Sequence, residues 1–477
     1  MQQLNQQDAM FVHSESARAP MHLSSVHLYD PTMAPDGTVT FDQFVEHVAS
    51  RLPLARVLRR KLIRVPFDLD HPYWVEDKDF DLRFHVRRAA LPAPGDRQTL
   101  WELAARHHAQ PLDLERPPWE LYFIEGVGSI DGRPAGGFAM QIKIHHSAID
   151  GISGIELMNA LHDLDPNGRD PVDDPWEGED APSGAELLAR SAQHAALLPQ
   201  RVLAMLGRTL PLLQPSAARR ATLSGATAVA TARPPATVLN RRVTTNRVGD
   251  AMVIDLADAK AVRRAVDGAT VNDVLLAVVG GGLRRYLRDI DALPDSSLIA
   301  GVPISLRTEA DAGTAGNKLT MMLVPLATDI AEGPRARLEA IRDATARSKE
   351  QSQAVEARVL AESAELFPGA MLGLAVRANA AQGAWGTTAQ IGNVCVTNVP
   401  GSQVPLYLRG ARMEAYYSLG PVYDNAGPIH LVVSYLGRIF LSVTTCREIV
   451  PDIGHYVDCL RAEWDDLLAL ADDEPGT

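Results

Sequence analysis

A break in composition cuts this chain of 477 residues in two. From Asp163 to Asp180 the sequence holds eight acidic residues against one basic, Arg169, with Pro166, Pro171 and Pro175 among them. Such a stretch reads as a loop or connection between folded units. It turns at once into its opposite. Segment 185–213 is apolar and basic, with Leu187, Leu188, Leu197, Leu198, Val202, Leu203, Met205 and Leu206. That spacing predicts an amphipathic helix pair broken near Pro199. A stretch rich in Ala, Thr and Arg follows over 214–235. At roughly 150 residues per domain, the length by itself predicts two or three domains. The expected organisation is a domain over 1–163, a linker over 164–240 and a second domain over 241–477.

Both halves mix helices and strands without strict βαβ alternation, which predicts an α/β fold that is not doubly wound. In the first half, His22–Tyr29 alternates like a strand, and Thr40 caps a helix running to about Arg51. A helix is expected over 98–109, strands over Trp119–Glu125 and Gly137–Ile144, and a helix over Gly151–His162. In the second half, Ala251–Asp255 reads as a strand. Thr270 is the expected cap of a long helix over Val271–Arg288, with Asp273 completing a capping box. Further strands are expected at Leu298–Pro303, Leu319–Ala327, Asn393–Asn398, Arg412–Tyr417, Ile429–Tyr435 and Arg438–Thr444, with helices over 333–351 and from Pro451 onward. Gly280-Gly281-Gly282 inside the long helix is costly there. Close approach of a substrate chain or of a neighbouring element would explain it, with loose packing as the alternative.

The net charge of −13 argues against nucleic-acid binding, which needs a basic surface. Any anionic ligand must be met by a local basic cluster. Arg241, Arg242 and Arg247 form one candidate; Arg284, Arg285 and Arg288 form another. Three cysteines, Cys395, Cys446 and Cys459, give neither a disulfide framework nor a CxxC knuckle, so a reducing compartment and no metal are expected. The first residues carry no signal-peptide pattern, and no apolar run reaches the ~18 residues of a membrane span. The expectation is a cytoplasmic protein, at most peripheral to a membrane.

The sharpest local motif is His145-His146-Ser-Ala-Ile-Asp150-Gly151. HHxxxDG arises by chance only about 10⁻³ times in a chain of this composition. An apolar strand leads into it and a helix leaves it. Neighbouring residues on an extended segment point to opposite sides, so one histidine faces a cleft and the other supports. A neutral imidazole accepts a proton from an alcohol near neutral pH. His146 is the expected general base and His145 the residue that orders the turn. Asp150 is expected to pair with a basic residue, and Gly151 to let the chain turn tightly. The competing readings are a structural turn with a satisfied histidine, and a zinc site lacking its third ligand. His107-His108 lacks the Asp-Gly and reads as a solvated helix face.

This motif resembles the active-site signature of CoA-dependent acyltransferases of the chloramphenicol acetyltransferase-like fold. Further blocks, in order along the chain, are similar to those of the bacterial wax ester synthase/diacylglycerol acyltransferase family. They are Pro20-Met21-His22, Pro117-Pro118-Trp119 (with Pro118 where the family carries Leu), Val271-Asn272-Asp273, Ser305-Leu306-Arg307, Gly316-Asn317, Asn398-Val-Pro-Gly401 and Asp424-Asn425-Ala-Gly427. The resemblance implies two acetyltransferase-like α/β domains with the active-site tunnel at their interface. It implies esterification of diacylglycerol or a long-chain alcohol with acyl-CoA as co-substrate, no other cofactor, and peripheral contact with a membrane or lipid droplet. Asn272, at a helix N-terminus, is expected to stabilise an oxyanion or orient the base. Asp273, Ser305, Arg307 and Gly151 are expected around the substrate, with Arg307 a partner for Asp150. Trp119 is expected in the core. Two rivals stand beside this reading: a condensation-type acyltransferase with a carrier-protein donor, and a catalytically silent lipid-binding protein.

Overall fold

In the computed structural model the described residues are 1–130, 136–149, 151–170, 172, 176–209, 234–305, 319–353 and 392–472. The alternating segment that begins at His22 forms strand His22–Asp30, inside a six-stranded sheet. In spatial order that sheet runs Tyr407–Leu408, Ala411–Leu419, His22–Asp30, Phe138–His145, Trp119–Glu125 and Val86–Ala90. A second six-stranded sheet runs Leu319–Pro325, Ile299–Ser305, Val394–Pro400, Ile429–Tyr435, Arg438–Cys446 and Arg247–Asp255. Parallel pairs occur at 86–90 with 119–125 and around 394–400; every other pair in these two sheets is antiparallel. Mixed sheets covered by helices are the expected α/β class.

The division of labour between the halves differs from the linear one. Ala411–Leu419 and Tyr407–Leu408 lie in the stretch expected to build the second domain, yet both complete the first sheet. Ala411–Leu419 pairs with His22–Asp30 through a β-bulge between Met413 and Ala415. Local periodicity reports that a strand exists but not which sheet receives it.

The described residues of the 164–240 stretch, and Asp163 just before them, are tied to the rest of the fold. Asp163 is buried, pairs with Arg51 at 2.8 Å, and exchanges backbone hydrogen bonds with Tyr407. Glu179 meets the N-terminal amine at 2.8 Å. The predicted helix pair is one helix, Gly184–Thr209, with Pro199 inside it. Its first half is anchored by buried Leu187 against Val65 and Tyr73 and by His194 on Asp70 at 2.6 Å. Leu197 and Leu203 are exposed.

Helix Arg97–Ala109 lies between the sheets. Its Trp101 packs on Gly249 of strand Arg247–Asp255, and Arg97 pairs with Asp250. Its other side covers one face of the first sheet. Phe41–Arg51 covers the opposite face, where Phe44, Phe123, Phe138 and Tyr29 form an aromatic row.

In the second half, Thr270 and Asp273 close the expected capping box of helix Val271–Asp289. The glycine triplet on this helix is explained by neighbouring elements. A Cβ at Gly280 would run into the Leu326 carbonyl oxygen, one at Gly281 into the Glu463 carboxylate, and one at Gly282 into Leu460. Glu463 lies on the terminal helix Ile453–Asp472, is fully buried, and pairs with Arg337 and Arg285. The glycines let that ion pair and the backbone after strand Leu319–Pro325 approach the helix axis.

A Gly→Ala change inside a helix ordinarily stabilises by up to about 1 kcal/mol. Gly280→Ala is expected to do the reverse here, by about 1–3 kcal/mol, because the obstructing atom is backbone. Chemical denaturation of the variant checks the sign.

Candidate active site

The strand expected to end at Ile144 runs one residue further, taking in the first histidine of HHxxxDG. Strand Phe138–His145 stops at His145, residues 146–148 turn, and helix Gly151–Leu161 follows. The turn is pinned by backbone bonds to two separate elements. His145 N–H donates to Pro118 O at 2.9 Å, and His146 N–H donates to Met21 O at 2.8 Å. Ala148 N–H returns to His145 O at 2.9 Å. Pro118, where the family block carries Leu, therefore supplies a carbonyl that any residue type provides.

The two histidines have different surroundings. His145 is fully buried. Its Nε2 lies 2.9 Å from Glu15 Oε2, and its Nδ1 lies 2.6 Å from Ser147 Oγ and 3.2 Å from Ser147 N. A carboxylate accepts a proton and the Ser147 backbone donates one, so the neutral ring carries its hydrogen on Nε2. Glu15 Oε2 also accepts the Met21 N–H at 3.0 Å. One carboxylate thus holds both His145 and the segment whose carbonyl holds His146. His146 is half-buried, and its ring stacks on Phe11 with centroids 3.9 Å apart and 12° between planes. Phe11 belongs to helix Gln6–Ser14, capped by Asn5.

Below this turn the sheet face is polar. Lys143, two residues before His145 on the same face, is fully buried. Its Nζ pairs with Glu120 at 2.8 Å and donates to the carbonyls of His107 and Gln110 at 3.1 and 3.0 Å. Burial opposes the charge on Glu120, but Lys143, Tyr122 and Arg87 together hold its carboxyl below the usual range. Burial depresses Lys143 against the pull of Glu120.

The solvated face expected at His107-His108 is corrected. His108 is buried, with Nδ1 on Ser24 Oγ at 2.8 Å and Nε2 on Gly420 O at 3.0 Å; burial lowers it to about 3. His107 stacks on Tyr122 and meets Gln141 Oε1 at 2.9 Å. Both are neutral members of the packed layer between helix Arg97–Ala109 and the sheet.

The other predicted residues divide three ways. Asn272 sits half-buried in the first turn of helix Val271–Asp289. The neighbouring Val271 packs on the same apolar cluster as Phe11. Asp273, expected at the substrate, is instead consumed by structure. One oxygen accepts the Thr270 N–H and hydroxyl, the other accepts Thr345 Oγ1 at 2.6 Å, and the residue is 1% exposed. Gly151 opens its helix, and Ser305 ends strand Ile299–Ser305. Asp150, Arg307 and Gly316-Asn317 lie outside the described residues, and with them the proposed Asp150–Arg307 pair. Trp119 is a core anchor, 1% exposed, with Nε1 donating to Leu58 O at 2.7 Å.

Several candidate arginines are also committed elsewhere. Arg247 is buried against Cys446 and the Arg18 carbonyl, Arg284 bonds Thr328 O, and Arg285 holds Glu463 and Asp466. Arg241 and Arg242 remain exposed. Sequence reasoning missed Glu15 and Phe11. The available signal was the Asn5–Asp8 cap ahead of Phe11 and Val12, which marks a helix directly before the Pro20-Met21-His22 block.

Comparison with known proteins bears on the whole chain. Residues 4–275 match the family model of the wax ester synthase/diacylglycerol acyltransferase catalytic domain, and residues 315–467 match that of the WS/DGAT C-terminal domain. A Mycobacterium tuberculosis protein named as a diacylglycerol O-acyltransferase is 30% identical over 475 residues, covering 100% of this chain and 92% of its own. A second from that organism, similarly named, is 34% identical over 467 residues, covering 96% and 98%. The solved wax ester synthase/diacylglycerol acyltransferase from Marinobacter aquaeolei VT8 superposes with a TM-score of 0.69 at 27% identity, covering 99% of this chain and 100% of that one. The first condensation domain of the CDA synthetase shares the fold alone, with a TM-score of 0.56 at 15% identity, covering 100% and 97%.

Glu15→Ala leaves the His145 Nε2–H and the Met21 N–H without their acceptor. The expected loss is about 1–3 kcal/mol of stability. Glu15→Gln, which keeps an acceptor oxygen, is expected to lose less; denaturant melts of the two variants side by side test the order.

Proposed function

The chain belongs to the wax ester synthase/diacylglycerol acyltransferase family, and from that premise we propose that it esterifies diacylglycerol or a long-chain alcohol with a long-chain acyl-CoA, using His146 as general base. The observation that carries the assignment is the asymmetry of the histidine pair: His145 is enclosed by Glu15 and Ser147, while His146 stands half-buried on the turn beyond the strand.

The acceptor hydroxyl gives its proton to His146 as its oxygen attacks the thioester carbonyl. The resulting tetrahedral oxyanion collapses, the C–S bond breaks, and the CoA thiolate takes the proton back from the imidazolium. A thiolate leaves readily, so no acyl-enzyme is needed. The stacked Phe11 ring fixes the plane of the His146 imidazole, and the Met21 carbonyl fixes its backbone. Orientation of this kind is the chief contribution of a site that reacts two bound substrates. Asn272, at the positive end of its helix, is the candidate donor to the oxyanion. The family blocks favour a CoA thioester over a carrier-protein donor; the condensation-domain likeness speaks for the fold alone.

No helix among the described residues is long and apolar enough to cross a membrane. We propose that the enzyme reaches its insoluble acceptor by laying the outer half of helix Gly184–Thr209 on a lipid surface. The exposed Leu197 and Leu203 support this, and the inner half is fastened through Leu187 and His194.

His146→Ala is expected to abolish CoA release from palmitoyl-CoA while the melting temperature stays within a few degrees of the parent; retained turnover contradicts the base assignment. Product analysis with diacylglycerol and hexadecanol in competition decides the preferred acceptor. Leu197→Asp/Leu203→Asp is expected to lower co-flotation with diacylglycerol-containing vesicles several-fold, and unchanged flotation removes the membrane role of this helix.

A further inference from the structure

Helix Val271–Asp289 ends on a carboxylate, and the terminal helix Ile453–Asp472 begins beside it. Three atoms of ligand type converge there. Asp289 Oδ2 lies 3.3 Å from His455 Nε2 and 4.0 Å from Cys459 Sγ, and that sulfur lies 3.9 Å from the same nitrogen. All lie within 4.8 Å of one another, the only such group of three among the described residues.

Asp289 ends its helix, at the negative end of the macrodipole, where positive charge is preferred. A divalent ion bound there answers that preference.

The geometry suits a tetrahedral site. Zinc with sulfur at about 2.3 Å and nitrogen and oxygen at about 2.0 Å requires ligand–ligand edges of roughly 3.3–3.6 Å. The Asp–His edge is already of that length, and each sulfur edge must shorten by only about 0.4 Å. His455 and Cys459 are one turn apart on one helix face, so they present their atoms together. Cys459 is 5% exposed and closes the inner side; the Asp289 and His455 side chains are 37% and 42% exposed and leave an outward position for water. Arg288 touches only the other oxygen of Asp289, at 3.4 Å, and Arg285 is held by Glu463 and Asp466.

We propose that Asp289, His455 and Cys459 bind one zinc-class divalent cation, with three protein ligands and one solvent position. The site lies about 26 Å along the helix from Asn272, outside the reacting centre. It fastens the far end of the central helix to the terminal helix. The expectation of no metal rested on the missing CxxC; here the third ligand comes from 170 residues upstream of Cys459.

The test uses the full chain, stripped with chelator and titrated with Zn²⁺ against a chromogenic competitor, and with Co²⁺ as a spectroscopic probe. The expected result is one equivalent of tight binding, with tetrahedral d–d absorption and a near-ultraviolet sulfur-to-cobalt band. Cys459→Ser removes that band. His455→Ala and Asp289→Asn, both at exposed positions that should leave folding intact, weaken Zn²⁺ binding at least tenfold. Zn²⁺ raises the melting temperature of the parent by several degrees and leaves those of the variants unmoved. Absence of binding, binding without the sulfur band, or affinity unchanged in the His455 and Asp289 variants overturns the proposal.

Discussion

An ammonium group with no access to water sits in the middle of the first sheet, and the rest of the site is arranged around it. Lys143 neutralises Glu120 across the strand pair and also binds the last carbonyls of helix Arg97–Ala109. A buried charge of this kind is tolerable only when its partners are in place. Satisfying Lys143 therefore fixes the helix end against the sheet, and with it the height at which the strand emerges two residues later as His145. The chemistry-bearing turn inherits its position from an electrostatic requirement in the core.

A comparable constraint organises the other half. Glu463 is buried against a glycine on the central helix and clamped by Arg337 and Arg285. The glycines are as much a part of that ion pair as the arginines, because a methyl group at Gly281 would occupy the space of the carboxylate. Helix Arg97–Ala109 then couples the halves: it presents histidines to the first sheet and Trp101 to the second. Buried charge clusters thus lie in both halves, and a shared helix sits between them.

What could be read in advance follows physical range. The strand–turn–helix around His145-His146, the Thr270 capping box, the core role of Trp119 and the tight approach at the glycine triplet are local patterns, and all are found in the structure. The misread elements depend on distant neighbours. His107-His108 looks solvated on its helix, but the sheet that covers it is contributed by other segments. Asp273 belongs to a block associated with function, yet Thr270 and Thr345 occupy its oxygens. Pro199 was expected to divide a helix that runs through it. Glu15 carries no motif of its own, since its importance arises only when the N-terminal helix is folded back against the strand end.

The pairing of Ala411–Leu419 with His22–Asp30 has a consequence during synthesis. When the ribosome has produced the first 300 residues, the sheet that carries the histidine pair still has an open edge along His22–Asp30. Its missing neighbour is more than 380 residues away in sequence. Contacts of such separation are slow to form, and an unpaired strand edge invites pairing with other chains. Until the last quarter of the chain arrives, the edge beside the histidine-bearing strand keeps its backbone donors and acceptors open to pairing.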